Sequence, residues 1–96
     1  MKVRFSRRAT DDLGEILAAL FHQSPQAAGR LLTRIEKIVA RLSRFPGMAQ
    51  ELAEREGVRK VPLVRFPYLI FYKVVGDEVV ILHIVHGARR EPWENL

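Results

Sequence analysis

The spacing of hydrophobic positions changes halfway along the chain, dividing it into a helical half and a β half. Lys2 to Phe5 alternates charged and apolar residues, which predicts a short strand over 2–5 with Val3 and Phe5 on one side. Leu13, Ile16, Leu17, Leu20 and Phe21 then recur at the spacing of one helix face, predicting a helix over 7–22. Ser6 is placed to cap it, and Asp11 and Asp12 lie near its start, where the helix dipole favours negative charge. Ser24-Pro25 predicts a second start, a capping side chain followed by proline at the first helical position. Ala28, Leu31, Leu32, Ile35, Ile38, Val39 and Leu42 make the apolar stripe of that helix, expected over 25–44 and stopped by Phe45-Pro46-Gly47.

Beyond a polar loop at 47–57 the period becomes two, and strands are expected over 58–64, 68–75 and 78–86. Pro62 marks the first of these as an edge strand or a bulged one. Gly76-Asp77 is the signature of a two-residue type II′ hairpin loop. The order β-α-α-β-β-β predicts one α+β domain over 1–96, a helical hairpin on one face of a small, mainly antiparallel sheet, with a basic tail at 87–96. A regular hairpin sets Tyr72 opposite Ile81, Ile70 opposite His83 and Tyr68 opposite Val85. Leu69, Phe71, Lys73, Val80, Leu82, Ile84 and His86 then share a face expected to meet the helices. Tyr68, Ile70, Tyr72, Val74, Val79, Ile81, His83 and Val85 share the other, which is too apolar for a solvated outer face and is expected to receive a partner.

Composition narrows the class. A net charge of +5, with sixteen Lys plus Arg, favours a polyanionic or acidic partner. The absence of cysteine removes disulfides and thiolate metal sites and is compatible with a reducing cytoplasm. No segment of signal-peptide length opens the chain, and the apolar run Val79 to Val85 is far too short to span a bilayer, so a cytoplasmic protein without membrane contact is expected.

Candidate chemistry is sparse. Strand alternation sends His83 and His86 to opposite faces, so they are not expected to chelate one ion, and no metal site or cofactor is expected. The serines sit at helix ends, and no Gly-rich phosphate loop or nucleophile elbow occurs. The basic residues carry more information. Arg30, Arg34, Lys37, Arg41 and Arg44 recur along one side of the second helix, either as a solvated face or as a track for an acidic chain. Arg59, Lys60 and Arg65 lie around the edge strand, and Arg89 and Arg90 follow the last strand. Such arginines can hold phosphates or carboxylates bidentately.

Several short motifs together resemble a known family. Phe5-Ser6, Ala9 and Asp12-Leu13 form one, and the helix from Ala27 to Ile35 and Phe45-Pro46-Gly47 supply others. Pro67-Tyr68 with Ile70-Phe71-Tyr72, and the closing His86-Gly87-Ala88-Arg89, complete the set. In their order and spacing these resemble the ParE/RelE superfamily of toxins from bacterial type II toxin–antitoxin modules, and within it the ParE, or plasmid-stabilisation, branch. The resemblance implies a toxin held silent by a cognate antitoxin whose extended acidic segment wraps it. The antitoxin is expected on Arg30, Arg34, Lys37 and Arg41 and on Tyr68, Ile70, Tyr72 and Ile81. The target is expected to meet Arg59, Lys60, Arg65, His86, Arg89, Arg90 and Trp93.

The superfamily splits in mechanism. ParE-like members poison DNA gyrase, whereas RelE-like members are ribosome-dependent endoribonucleases that cut mRNA. The nucleases commonly carry an arginine just inside the strand where this chain has Leu69 or Tyr68, and only His86 loosely matches their C-terminal tyrosine or histidine. Arg59, Arg65, Tyr68 and His83 are the candidates for a base, an acid and charge stabilisation if RNA is cut. The resemblance therefore favours gyrase poisoning, with an mRNA endoribonuclease as the alternative and a non-toxic basic nucleic-acid-binding module as the third reading.

Overall fold

The computed structural model describes residues 1–87. Strand β1 (Lys2–Phe5) leads into helices α1 (Arg7–Gln23) and α2 (Pro25–Arg44). Strands β2 (Gln50–Glu51), β3 (Val58–Pro62), β4 (Tyr68–Val75) and β5 (Glu78–His86) follow. The sheet order is β1-β5-β4-β3-β2, with β1 parallel to β5 and every other pairing antiparallel. The two-residue strand β2, within the stretch expected to be a loop, forms one edge. The strand expected over 58–64 stops at Pro62, which has no amide hydrogen to extend the ladder.

Local chemistry sets the helix ends. Ser6 Oγ accepts from the Ala9 amide at 3.0 Å, and Ser24 Oγ accepts from the Ala27 amide at 3.2 Å, with Pro25 opening the second helix. Each cap satisfies an amide that the helix cannot, an effect worth about 1 kcal/mol. Helix α2 is the deeper of the two, burying Ala28, Leu31, Ile35, Ile38 and Leu42. In α1 only Ala9 is fully buried; Leu13, Ile16, Leu17 and Leu20 are half-buried and Phe21 is 61% exposed. No helix is long and apolar enough to cross a membrane among the described residues.

The hairpin loop is as expected, with Gly76 at φ +61 and Val75 opposite Glu78. The register then departs from a regular hairpin. Tyr72 opposes Ile81, but Phe71 opposes His83, so Leu82 is left over as a β-bulge. From there the pairs are Ile70 with Ile84, Leu69 with Val85 and Tyr68 with His86, each one residue later than expected.

Along β4, and along β5 as far as Leu82, the faces are the reverse of the expectation, whereas beyond the bulge Ile84 and Val85 lie on the faces expected for them. Ile70, Tyr72, Val79, Ile81 and Ile84 pack with Leu31, Ile35, Ile38 and Leu42 in the main core, so the tyrosine-bearing face is the one under the helices. Phe71, Val85, Leu52 and Val58 form a second, smaller cluster with Leu69 and Leu82 on the opposite face. Period-two alternation cannot say which face the helices cover when both are apolar. A tyrosine lies in the main core without polar penalty because the Tyr72 hydroxyl donates to the Pro46 carbonyl at 2.8 Å. Ile70, Tyr72 and Ile81, expected to contact an antitoxin, are therefore buried under the protein's own helices.

Candidate functional site

The bulge is held by the start of α1. Ser6 donates its amide to the Ile81 carbonyl at 2.8 Å and its hydroxyl to the Leu82 carbonyl at 3.0 Å. Asp12 Oδ2 accepts from the Ile84 amide at 3.0 Å and also from His83 Nδ1. The start of α1 thus satisfies β5 backbone groups beside the bulge and past the end of β1, as buried polar groups require. Ala9, with no exposed surface, lies one turn before Asp12, and its small side chain lets α1 come close to β5. The motif Phe5-Ser6, Ala9, Asp12-Leu13 is in this fold a bulge clamp. Asp12 does more than complement the helix dipole, a role that only the folded register could reveal.

His83 takes its place in that clamp. It is 1% exposed and bonded to Asp12, not offered on an open face, and its Nε2 has no partner among the described residues. The bulge lies before His83, and from His83 to His86 the pairing is regular, so simple alternation still separates the two histidines. His86 faces Tyr68 across the strands, its ring edge-on at 5.8 Å between centroids, and Tyr68 packs on the main core. The two histidines therefore lie on opposite sides of the sheet, as expected, His83 buried and paired with Phe71 and His86 exposed.

Arg59 is likewise drawn into the structure. It stands opposite Tyr72, half-buried, and its Nη1 donates to the Ala49 carbonyl at 2.5 Å. With Tyr72 on Pro46, this fastens the 46–49 turn that follows α2 onto the sheet. Desolvation raises the Tyr72 phenol above its ordinary value of 10.0, offset in part by a hydrogen bond with the Ala49 backbone and by the charge of Arg59.

The remaining cations sort into two depressions. Arg30, Arg34 and Lys37 of α2 meet Arg65 and Phe66 of the β3–β4 loop around one of about 780 Å³. Arg65 reaches it from a left-handed backbone, with φ +72, an uncommon conformation for a residue other than glycine. Arg41 and Lys60 line the other, of about 560 Å³, with Met48 and Pro62. Arg65 thus separates from Arg59 and Lys60 and joins the α2 stripe, and Phe66, not singled out by the sequence, joins with it. Of the four residues considered for RNA cleavage, Arg59 bonds a loop, His83 bonds Asp12, Tyr68 meets His86, and Arg65 lines the α2 depression. They share no common centre. Arg89, Arg90 and Trp93 lie outside the described residues.

Comparison with known proteins adds a family. The sequence matches, over residues 3–91, the model for the ParE toxin of type II toxin–antitoxin system, parDE. It is 31% identical over 91 residues to the Y4kP protein of Sinorhizobium fredii, covering 95% of this chain and 93% of that one. It is 27% identical over 88 residues to toxin RelE1 of Caulobacter vibrioides, covering 92% and 95%. Among solved structures it is similar to a chain of the chromosomal ParDE system from P. aeruginosa, with a TM-score of 0.78, 28% identity and coverage of 90% and 95%. A chain of the RelBE2 toxin–antitoxin complex from Mycobacterium tuberculosis gives a TM-score of 0.60 at 26% identity, covering 88% and 95%.

Proposed function

The chain belongs to the ParE toxin family of type II toxin–antitoxin systems, and from that premise we propose that it arrests growth by poisoning DNA gyrase and is silenced by an acidic antitoxin. The observation that carries the non-nuclease half of this reading is the dispersal of the candidate catalytic set. Cleavage by 2′-hydroxyl attack needs an acid, a base and charge stabilisation at one phosphate. Here the imidazole of His83 is buried and bonded to Asp12, and the guanidinium of Arg59 is spent on the Ala49 carbonyl. Where the nucleases carry an arginine this chain has Leu69 or Tyr68, neither of them a cation; Leu69 packs with the cluster on the opposite face from the helices and Tyr68 on the main core. An inhibitor needs an interaction surface instead, and the exposed cations Lys60, Arg65 and Arg30 supply one. The net charge of +5 supports an acidic silencing partner.

The test is to add the purified chain to gyrase and supercoiled DNA, and separately to a translation reaction read by primer extension. Accumulated gyrase–DNA cleavage complexes with intact mRNA are expected. Codon-phased cuts in translated mRNA without cleavage complexes would overturn the reading in favour of an endoribonuclease. One contact supports that second reading: Tyr68 and His86 place a phenol against an imidazole at the end of the sheet. Loss of the cuts in Tyr68→Phe would locate the chemistry there.

A further inference from the structure

Two apolar side chains stand out on the turn that follows α2: Phe45 is 59% exposed and Met48 41%. Single exposed hydrophobics are ordinary on any protein surface. These two are held differently. The Met48 amide donates to the Phe45 carbonyl at 3.1 Å and closes the turn. The buried Tyr72 hydroxyl fixes Pro46 and the Arg59 guanidinium fixes Ala49, so both fasten the segment that displays Phe45 and Met48. A surface fixed in advance lowers the ordering entropy that binding must overcome. Beside Met48 lies the depression of about 560 Å³, with Ala49, Val61 and Pro62 as its other apolar walls. Cations border this apolar centre. Arg41 and Lys60 line the depression, both exposed, and the Arg44 guanidinium sits 5.7 Å from the centroid of the Phe45 ring. Among the described residues none of these three cations has an acidic partner. An apolar centre with a charged edge is the anatomy of a protein–protein interface, and aromatic residues, methionine and arginine are the types enriched there.

Resting on the reading of the chain as a protein inhibitor of gyrase, we propose that the turn at 45–48 and the depression beside it form the surface that docks on the target protein. The partner surface is acidic. An apolar side chain of the target enters the depression against Met48 and Pro62, Phe45 packs beside it, and neighbouring carboxylates pair with Arg41, Arg44 and Lys60. Charge complementarity supports this: the three cations lack carboxylates of their own, and the chain as a whole carries +5. Nucleic acid fits the surface less well. Phe45 is a single ring with Arg44 already over it, and Met48 offers no platform for a second base. The surface shares no residue with the depression that Arg30, Arg34, Lys37 and Arg65 line, so the two are separable by mutation.

The test titrates the full chain against purified gyrase holoenzyme and, separately, against duplex DNA alone. Phe45→Ser and Met48→Ser are each expected to weaken gyrase binding by roughly 10- to 30-fold and to lower the yield of cleavage complexes in step. Both side chains are exposed, so the unfolding midpoint should stay level. Arg41→Gln is expected to weaken binding by roughly three- to tenfold, with the difference shrinking as salt rises. Phe21 is 61% exposed but lies at the other end of the helical hairpin, beyond the 20 residues and about 30 Å of α2. Phe21→Ser should therefore change little. An equal loss in Phe21→Ser, or a loss in Phe45→Ser and Met48→Ser that falls on DNA alone, would overturn the proposal. Sedimentation of the chain by itself reads another occupant: dimers that Phe45→Ser dissociates would give the surface to a second copy and overturn it too. If the unaltered chain binds gyrase and the Phe45 and Met48 variants bind equally well, only the docking surface falls. If the unaltered chain does not bind gyrase, the gyrase reading falls and takes the docking surface with it.

Discussion

Asp12 on α1 accepts the Ile84 amide on β5 at 3.0 Å, across 72 residues of chain. The same oxygen takes His83 Nδ1, so one carboxylate satisfies two groups beside the bulge at Leu82. Asp12→Ala leaves an amide and a buried imidazole unsatisfied, and should cost about 2–4 kcal/mol in urea unfolding. Asp12→Asn keeps an acceptor for one of them and should cost about half as much. Ser6→Ala acts on the same bulge through Leu82, so combining it with Asp12→Ala should give a non-additive loss. Simple additivity would show that the bulge is not held jointly.

What could be read from the sequence follows the range of the interactions involved. The caps at Ser6 and Ser24 and the loop at Gly76-Asp77 are local, and each is visible in a few adjacent residues. The bulge is invisible because its supports, Ser6 and Asp12, lie at the other end of the chain. That one extra residue shifts every pair from Phe71 to Tyr68, so that His83 meets Phe71 and His86 meets Tyr68. The choice of sheet face is equally hidden, since Phe71 and Tyr72 are both fully buried on opposite sides. The α2 cation row is legible from helical spacing, but the arrival of Arg65 depends on a left-handed turn at a residue that rarely adopts one.

That turn makes its own prediction. Arg65→Gly relieves the backbone strain of φ +72 while adding freedom to the unfolded chain, effects of about 1 kcal/mol each and opposite in sign. The melting temperature should stay level or rise slightly. Arg65→Val, β-branched and intolerant of a left-handed backbone, should lower stability by about 1–2 kcal/mol. A tolerated valine would show that the loop adopts another conformation.

Adjacent leucines on α2 separate core from surface. Leu31 is fully buried against the sheet, whereas Leu32 is 41% exposed. Leu31→Ala should cost about 2–5 kcal/mol by losing burial and leaving a cavity. Leu32→Ala should cost under about 1 kcal/mol. Denaturant midpoints of the two variants check this directly, and similar losses would mean that Leu32 is covered in solution.

Tyr72 ties stability to alkaline pH. Its phenol titrates above 10.0 in the folded protein because burial disfavours the phenolate, outweighing the Ala49 hydrogen bond and the Arg59 charge. The unfolded chain therefore gives up this proton at lower pH than the folded one. The resulting contribution is fully present below the unfolded value of about 10 and is lost as pH rises through the raised folded value. Tyrosinate absorbance should resolve a phenol titrating above the ordinary value, and unfolding free energy should decline across that window. Tyr72→Phe removes the titration and should flatten that part of the decline. It also leaves the Pro46 carbonyl without its hydroxyl donor, so stability near neutral pH should fall by about 1–2 kcal/mol. A variant with an undiminished alkaline decline would place its origin in other groups, and an unchanged neutral stability would show that the Tyr72–Pro46 bond does not hold the turn after α2.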